Sequence, residues 1–186
     1  AGSFKAMPTL VTHSAIAVTA GYGVGFYPKN LSFWILTLFC ALLPDMDVLI
    51  SLWLYIPGHH LFGHRGFYHS PFFGAVIGFF IVLVFDRKKT GMPYQKARYG
   101  LYFFLIFLSH GLTDAMTNGG RGIALLAPFS NQRFFFPWRP IQVSPLNFDS
   151  FWGWRGISVL TSEILWIWIP CLLIFIYLKK TRQGQH

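Results

Sequence analysis

Four of the six acidic residues and most of the histidines stand inside or beside apolar runs. They are His13, Asp45 and Asp47 in P-D-M-D, His64 and His69 in H-R-G-F-Y-H-S, His110 and Asp114 in H-G-L-T-D, and Glu163. In a bilayer a single charge near the centre of a helix costs about 2.5–3.5 kcal/mol, so groups this numerous need a shared compensation. Imidazoles and carboxylates find it by ligating a metal ion. With no cysteine among them, the set favours zinc, with Mn2+ or iron as alternatives, over thiolate chemistry. Eight candidate ligands exceed one tetrahedral shell, so one to three divalent ions are expected. Such a centre suits hydrolysis of a phosphoester by metal-activated water. Asp45 or Asp47, if left over from coordination, would act as base. Arg65, Arg133 and Arg139 offer the planar donor fork that suits phosphate, which makes Asp45, Asp47 and Arg65 the catalytic candidates.

The spacings state what the elements must do. His110 and Asp114 are four apart and share one face of a helix. Asp45 and Asp47, two apart, would point to nearly opposite sides of a helix, so an irregular turn must let both face one cavity. Pro44 provides for this by disfavouring helical geometry at Leu43 and ending the helix there. His64 and His69, five apart, need a bend as well. Plainer readings exist for each motif: P-D-M-D as a helix stop with a capping Asp, Glu163 as a partner for Arg155, the arginines as headgroup anchors. His59 and His60 read as exposed-loop residues outside the ligand set, and His186 is terminal.

The whole chain is apolar enough to carry these motifs in a membrane. Of 186 residues 54% are hydrophobic, 19% aromatic and 11% charged, which excludes an ordinary soluble domain. The expected fold is all-α, an integral membrane bundle of about five helices near residues 9–27, 31–43, 70–86, 99–115 and 157–178, with a short apolar piece at 48–56. Residues 1–6 read as an added leader before a natural start at Met7, followed by a single domain, 7–186, from which no signal peptide is expected to be cleaved. Cys40 and Cys171 read as packed free thiols. The net charge of +9 is confined to loops and ends, which speaks for membrane orientation rather than nucleic acid. Lys29, Arg87, Lys88, Lys89, Lys96, Arg98, Lys179, Lys180 and Arg182 then lie on one, cytoplasmic side. The N-terminus is outside, the C-terminus is inside, and every candidate ligand falls at the outer face. That face also carries Arg65, Arg121, Arg133, Arg139 and Arg155 but no lysine after Met7. Segment 116–156 is longer than a connector needs to be, and with Phe134, Phe135, Phe136 and Trp138 it reads as an interfacial lid or substrate-binding element.

The motifs resemble those of the LexA-regulated, YdjM-like membrane-bound metal-dependent hydrolases. His13, L-P-D-M-D at 43–47, G-H-R-G-F-Y-H-S at 63–70 and S-H-G-L-T-D at 109–114 occur in order along most of the chain. The resemblance implies a hydrolase of the inner membrane. More distantly, His110 and Asp114 are similar to the H-x-x-x-D pair of zinc-dependent phospholipase C and related single-strand nucleases. The chain departs from those enzymes in being membrane-bound and in having Val159 four residues before Glu163.

The functional expectation is a phosphoric ester hydrolase of phospholipase type acting on a membrane lipid or lipid-linked substrate at the outer face of a bacterial-type inner membrane. Ester or amide hydrolysis uses similar chemistry. The alternatives are a metal or proton transporter, whose polar groups would run along the span, a haem protein, or a purely structural metal site. No feature of the sequence speaks to self-association. Orientation has a direct check: a cysteine introduced near residue 90 should stay unlabelled by impermeant reagents in intact cells, and ready labelling would reverse the topology.

Overall fold

The computed structural model describes residues 8–24, 30–87, 93–144 and 153–183. The leader at 1–6, Lys29, Lys88, Lys89 and His186 lie outside them. Regular structure among the described residues is helical: α1 (Leu10–Gly23), α2 (Leu31–Leu42), α3 (Met46–Trp53), α4 (Pro71–Arg87), α5 (Pro93–Ala115), α6 (Trp154–Glu163) and α7 (Ile169–Gln183). Short 3-10 turns, Leu43–Asp45 and Phe67–His69, precede α3 and α4, and a π turn, Ile164–Trp168, joins α6 to α7. Extended pairing among the described residues is limited to two isolated bridges, Thr117 with Ile141 and Ile123 with Phe134.

Two rods are long and apolar enough to cross a bilayer, Leu31–Trp53 and Trp154–Gln183, while α4 is apolar over the shorter stretch Pro71–Val84. Among the described residues, length and apolarity support these two spans and do not confirm the expected five. Helix α1 has only 14 residues, and the first turns of α5 carry Gln95, Lys96 and Arg98. The first long rod contains a surprise. Pro44 does not end it; the chain makes one 3-10 turn and continues as α3, because a proline in a first turn lacks only an N–H that would have had no helical partner.

Surface and interior follow the bilayer as solvent. Leu31, Ile35, Phe39, Leu49 and Trp53 on the first rod are exposed, as are Phe79 and Phe80 on α4 and Leu172, Leu173 and Ile176 on α7. The interior is Ala17, Phe33, Cys40, Ala41, Ile81, Tyr102, Phe103 and Ile106. Helix α4 packs along α5 at Gly74, Gly78 and Gly100, where a Cβ on Gly78 would stand 3.0 Å from the Gly100 carbonyl oxygen. Small residues give that close approach where lipid offers no hydrophobic drive between helices.

Above this core the chain bends sharply through residues 54–70. A Cβ on Gly66 would lie 2.1 Å from Leu61 O, and one on Gly63 would lie 2.4 Å from Pro57 O. Gly66 N donates to Gly63 O at 2.9 Å and Phe67 N to Leu61 O at 2.7 Å, so the backbone is already as tight as hydrogen bonding allows. Gly66→Ala should therefore destabilise the fold by on the order of 2–3 kcal/mol. Gly153→Ala, whose Cβ meets nothing within 4 Å, should stay within about 0.5 kcal/mol of wild type. Thermal unfolding of both variants in detergent is the check.

Candidate metal centre

Five elements deliver the cluster. His13 comes from the first turns of α1, Asp45 from the 3-10 turn and Asp47 from the start of α3, His69 from the 3-10 turn before α4, and His110 with Asp114 from the last turns of α5. All six are buried, as is Arg65. One ligand atom each from Asp45, His69, His110 and Asp114 fall within 4.8 Å of one another, and Asp47, His64 and His69 form a second such group.

The distances show what the first group lacks. His110 Nε2 is 3.3 Å from Asp45 Oδ1, and His69 Nε2 is 3.4 Å from Asp114 Oδ2 and 3.7 Å from Asp45 Oδ1. None of these approaches is aligned as a hydrogen bond: His69 Nε2, His110 Nε2 and both oxygens of Asp45 and Asp114 are buried without a hydrogen-bond partner. Orphaned polar atoms cost about 1–3 kcal/mol each, more when charged, so six converging on one point call for a cation between them. The donor set is all nitrogen and oxygen, which suits zinc, manganese or iron.

Charge agrees with geometry. Three carboxylates and the Arg65 guanidinium leave two negative charges when the imidazoles are neutral, the amount one divalent cation cancels. Burial alone would depress the His69 imidazole, but Asp47, Asp114 and Asp45 outweigh it and hold the ring well above the ordinary histidine value. The position favours positive charge.

The imidazoles are aimed from behind. His110 Nδ1 lies 2.7 Å from the Ala41 carbonyl oxygen, to which it donates, leaving the Nε2 lone pair directed at the cluster. The His13 ring stacks on His110 with centroids 3.7 Å apart, and its Nε2 stands 3.8 Å from Asp114 Oδ1. Both His13 nitrogens lack partners, which places it beside the four-residue group as a further donor.

Arg65 closes the cluster opposite the rings. Its Nε lies 3.1 Å from Asp114 Oδ2, and its Nη1 donates to Thr117 Oγ1 at 3.1 Å and to Gly119 O at 3.0 Å. Its Nη2 is buried without a partner. The residue sits at φ +63, a left-handed conformation uncommon for a side chain of this size and frequent at functional bends. The backbone is held there from two sides, by Ala124 N donating to Arg65 O at 3.0 Å and by Arg65 N donating to Asp47 Oδ2 at 3.1 Å.

Three expected site residues stand elsewhere. Glu163 is fully buried but accepts from Thr9 N at 2.6 Å, Thr9 Oγ1 at 2.5 Å and Thr12 Oγ1 at 2.8 Å. It caps the start of α1 from another helix, where unsatisfied N–H groups and the helix dipole welcome a carboxylate. Thr12 also accepts from Trp168 Nε1 at 2.9 Å, across the π turn. Arg133 spends its guanidinium on backbone carbonyls of the 54–70 bend: Nη1 donates to His64 O at 3.2 Å and Nη2 to His60 O at 3.0 Å. Burial first, then Arg121 nearby, push its pKa below the usual guanidinium value. Arg139 is exposed and lies over the Phe135 ring at 4.9 Å. Residues the sequence did not single out complete the site: Thr117 and Gly119 hold Arg65, and the Ala41 carbonyl aims His110. Only Thr117 had a signal, standing three residues past Asp114, where its hydroxyl donates to Asp114 O at 2.7 Å.

The described part of segment 116–156 is the wall of the centre. Ile123, Ala124, Ala127 and Ile141 are buried, Phe136 N donates to Ala115 O at 2.9 Å, and Trp138 meets Trp166 edge-on at 4.8 Å.

Residues 7–184 match the family described as YdjM inner membrane protein. The chain belongs to that family. It is 37% identical over 171 residues to the inner membrane protein YbcI of Escherichia coli (strain K12), a match spanning 90% of this chain and 95% of the relative. No solved structure matches. Membership embraces all four motifs, while the likeness to phospholipase C keeps only the spacing of His110 and Asp114.

Glu163→Gln should leave metal content intact while lowering stability by about 1–3 kcal/mol, as buried donors of α1 lose acceptors. Metal loss at unchanged thermal stability would return Glu163 to the ligand set.

Proposed function

We propose that this family member is a multi-pass inner-membrane hydrolase that uses a divalent metal, zinc by first choice, to cleave a phosphoester in a phospholipid or lipid-linked substrate. The observation that carries the reading is the meeting of Asp45, His69, His110 and Asp114 with six orphaned donor atoms and the unpartnered Nη2 of Arg65 beside them. His69 and His110 would hold the ion through Nε2, Asp45 and Asp114 through one oxygen each, with His13 in reserve. A divalent ion bound there supplies Lewis acidity and lowers the pKa of a water.

The chain's own groups do the rest. Arg65 Nη2 donates to a non-bridging phosphoryl oxygen, while Thr117 and Gly119 keep the guanidinium from swinging away. Asp45 is the least buried of the four ligand residues, at 7%. Its oxygen not used in coordination takes the proton from the attacking molecule. Asp114, fully enclosed and paired with Arg65, stays ionised.

A lipid substrate is favoured by what surrounds the site. Phe62, Phe72 and Phe129 are exposed, with Phe72 and Phe129 in edge contact at 5.8 Å, next to the histidine bend. Such rings prefer headgroup depth, which would put the metal centre at the level of lipid phosphates. The distribution of basic residues supports an outer-face position for that level, with the C-terminus cytoplasmic.

Elemental analysis of wild type, His69→Ala and Asp114→Ala, with a phosphoesterase assay on phospholipid vesicles for each, tests the reading. Wild type should contain transition metal and turn over lipid, both variants should lose metal and activity, and chelation should abolish activity until zinc is restored. Arg65→Lys should keep the metal and lose about 10²-fold in kcat. Bound metal without phosphoester turnover would leave a structural site instead.

A further inference from the structure

Asp45 and Asp47 belong to one motif, yet their surroundings differ in kind. Both oxygens of Asp45 lack hydrogen-bond partners. Those of Asp47 are engaged, Oδ1 with His64 Nδ1 at 2.8 Å and Oδ2 with the backbone N–H of Arg65 at 3.1 Å. The cost that calls for a cation at Asp45 is already met at Asp47 by donors of the chain.

His69 decides how the two ligand groups relate, since it belongs to both. Its Nε2 faces Asp45 and Asp114, and its Nδ1 faces Asp47 Oδ2 at 3.1 Å, an ion-pair approach that, like those at Nε2, is not aligned as a hydrogen bond. At Nε2 the ring meets two carboxylates whose oxygens have no hydrogen-bond partner, whereas at Nδ1 it meets one whose two oxygens are already engaged by His64 and the Arg65 backbone. Giving Nε2 to one ion and keeping a proton on Nδ1, turned toward a carboxylate, is the usual arrangement of a ligating histidine.

We propose that the centre takes a single divalent ion, at Asp45, His69, His110 and Asp114, and that Asp47 is a positioning residue rather than a ligand. Asp47 backs His69 through Nδ1 and clamps the His64–Arg65 bend. His64 is part of that clamp and holds no second ion. The inference rests on the metal-site half of the proposed function and not on any turnover.

Cobalt(II) titration of the metal-stripped full chain in detergent, read by visible absorption and by bound-metal stoichiometry, is the test. Wild type should saturate at one ion per chain. His64→Ala, which removes a partly exposed ring at the rim, should also take one ion with the wild-type spectrum. Asp47→Asn should still take one ion, roughly 10- to 100-fold more weakly, the usual effect of losing the group behind a ligating histidine. Asp47→Glu should recover part of that loss. Asp45→Asn should bind more weakly than any of these. Two ions in wild type, falling to one in His64→Ala, would overturn the proposal, as would Asp47→Asn losing binding as completely as Asp45→Asn while remaining folded. Should Asp47→Asn not fold, the wild-type and His64→Ala stoichiometries decide alone. A wild type with no saturable ion removes this inference and the metal reading together. One ion without lipid hydrolysis removes only the hydrolase.

Discussion

Three carboxylates, one guanidinium and four imidazoles are largely buried at one end of an apolar bundle, and the arrangement of that end follows from the need to compensate them. Taking one ionised group out of water costs several kcal/mol even after relaxation, and the attraction between partners repays it only with good geometry. Arg65 meets Asp114, and Asp47 is met by His64 and Arg65 N. Asp45 has only rings at 3.3–3.7 Å that do not align with it. The residual negative charge is what sets the cluster apart from a fully paired salt-bridge network and leaves it able to hold a cation.

From this constraint the odd features of the fold follow. The long rod must break into a 3-10 turn at Leu43–Asp45 so that Asp45 and Asp47 both turn inward. The bend after α3 must be tight enough to bring His64, Arg65 and His69 to one cavity, which requires hydrogen at the Cβ position of residues 63 and 66. Arg65 must adopt φ +63 to send its guanidinium in and its carbonyl out toward Ala124. The connector that supplies Ala124, Thr117 and Gly119 is consequently bound to the site by backbone and side chain alike. Glu163 extends the same logic by fixing the start of α1, one residue from the stacked His13 ring.

What the sequence disclosed was the part governed by local rules. The one-face relation of His110 and Asp114 follows from helical spacing, and a break at Pro44 is expected from its effect on Leu43, but Leu43 keeps helical geometry and the helix resumes as α3 after a single 3-10 turn. Glu163 and Arg133 escaped for a common reason. A lone acid in an apolar helix looks the same whether it faces a metal or the first turn of a neighbouring helix, and an arginine in a loop looks the same whether it awaits phosphate or three carbonyls. Only tertiary neighbours separate these, here Thr9 and Thr12 for the acid and the carbonyls of residues 58, 60 and 64 for the arginine. Spans are harder to count than motifs are to place, because length and apolarity are summed properties. Lys96 and Arg98 dilute α5 without moving its buried end.

The interior below the cluster bears on whether ions would rest there or pass through. A conducting path needs polar groups at intervals along its length. Beneath His110 and Asp45 the described core is Ala17, Phe33, Cys40, Phe103 and Ile106. The polar pair at that level, Thr37 and Tyr102, is hydrogen-bonded to itself at 3.1 Å. A cation leaving the cluster inward would exchange carboxylate and imidazole for aromatic rings with nothing to replace its ligands. Among the described residues the polar groups are thus gathered at one end of the bundle, with Asp45 and His64 the least buried of them, and are not spaced along its length as a conducting path requires.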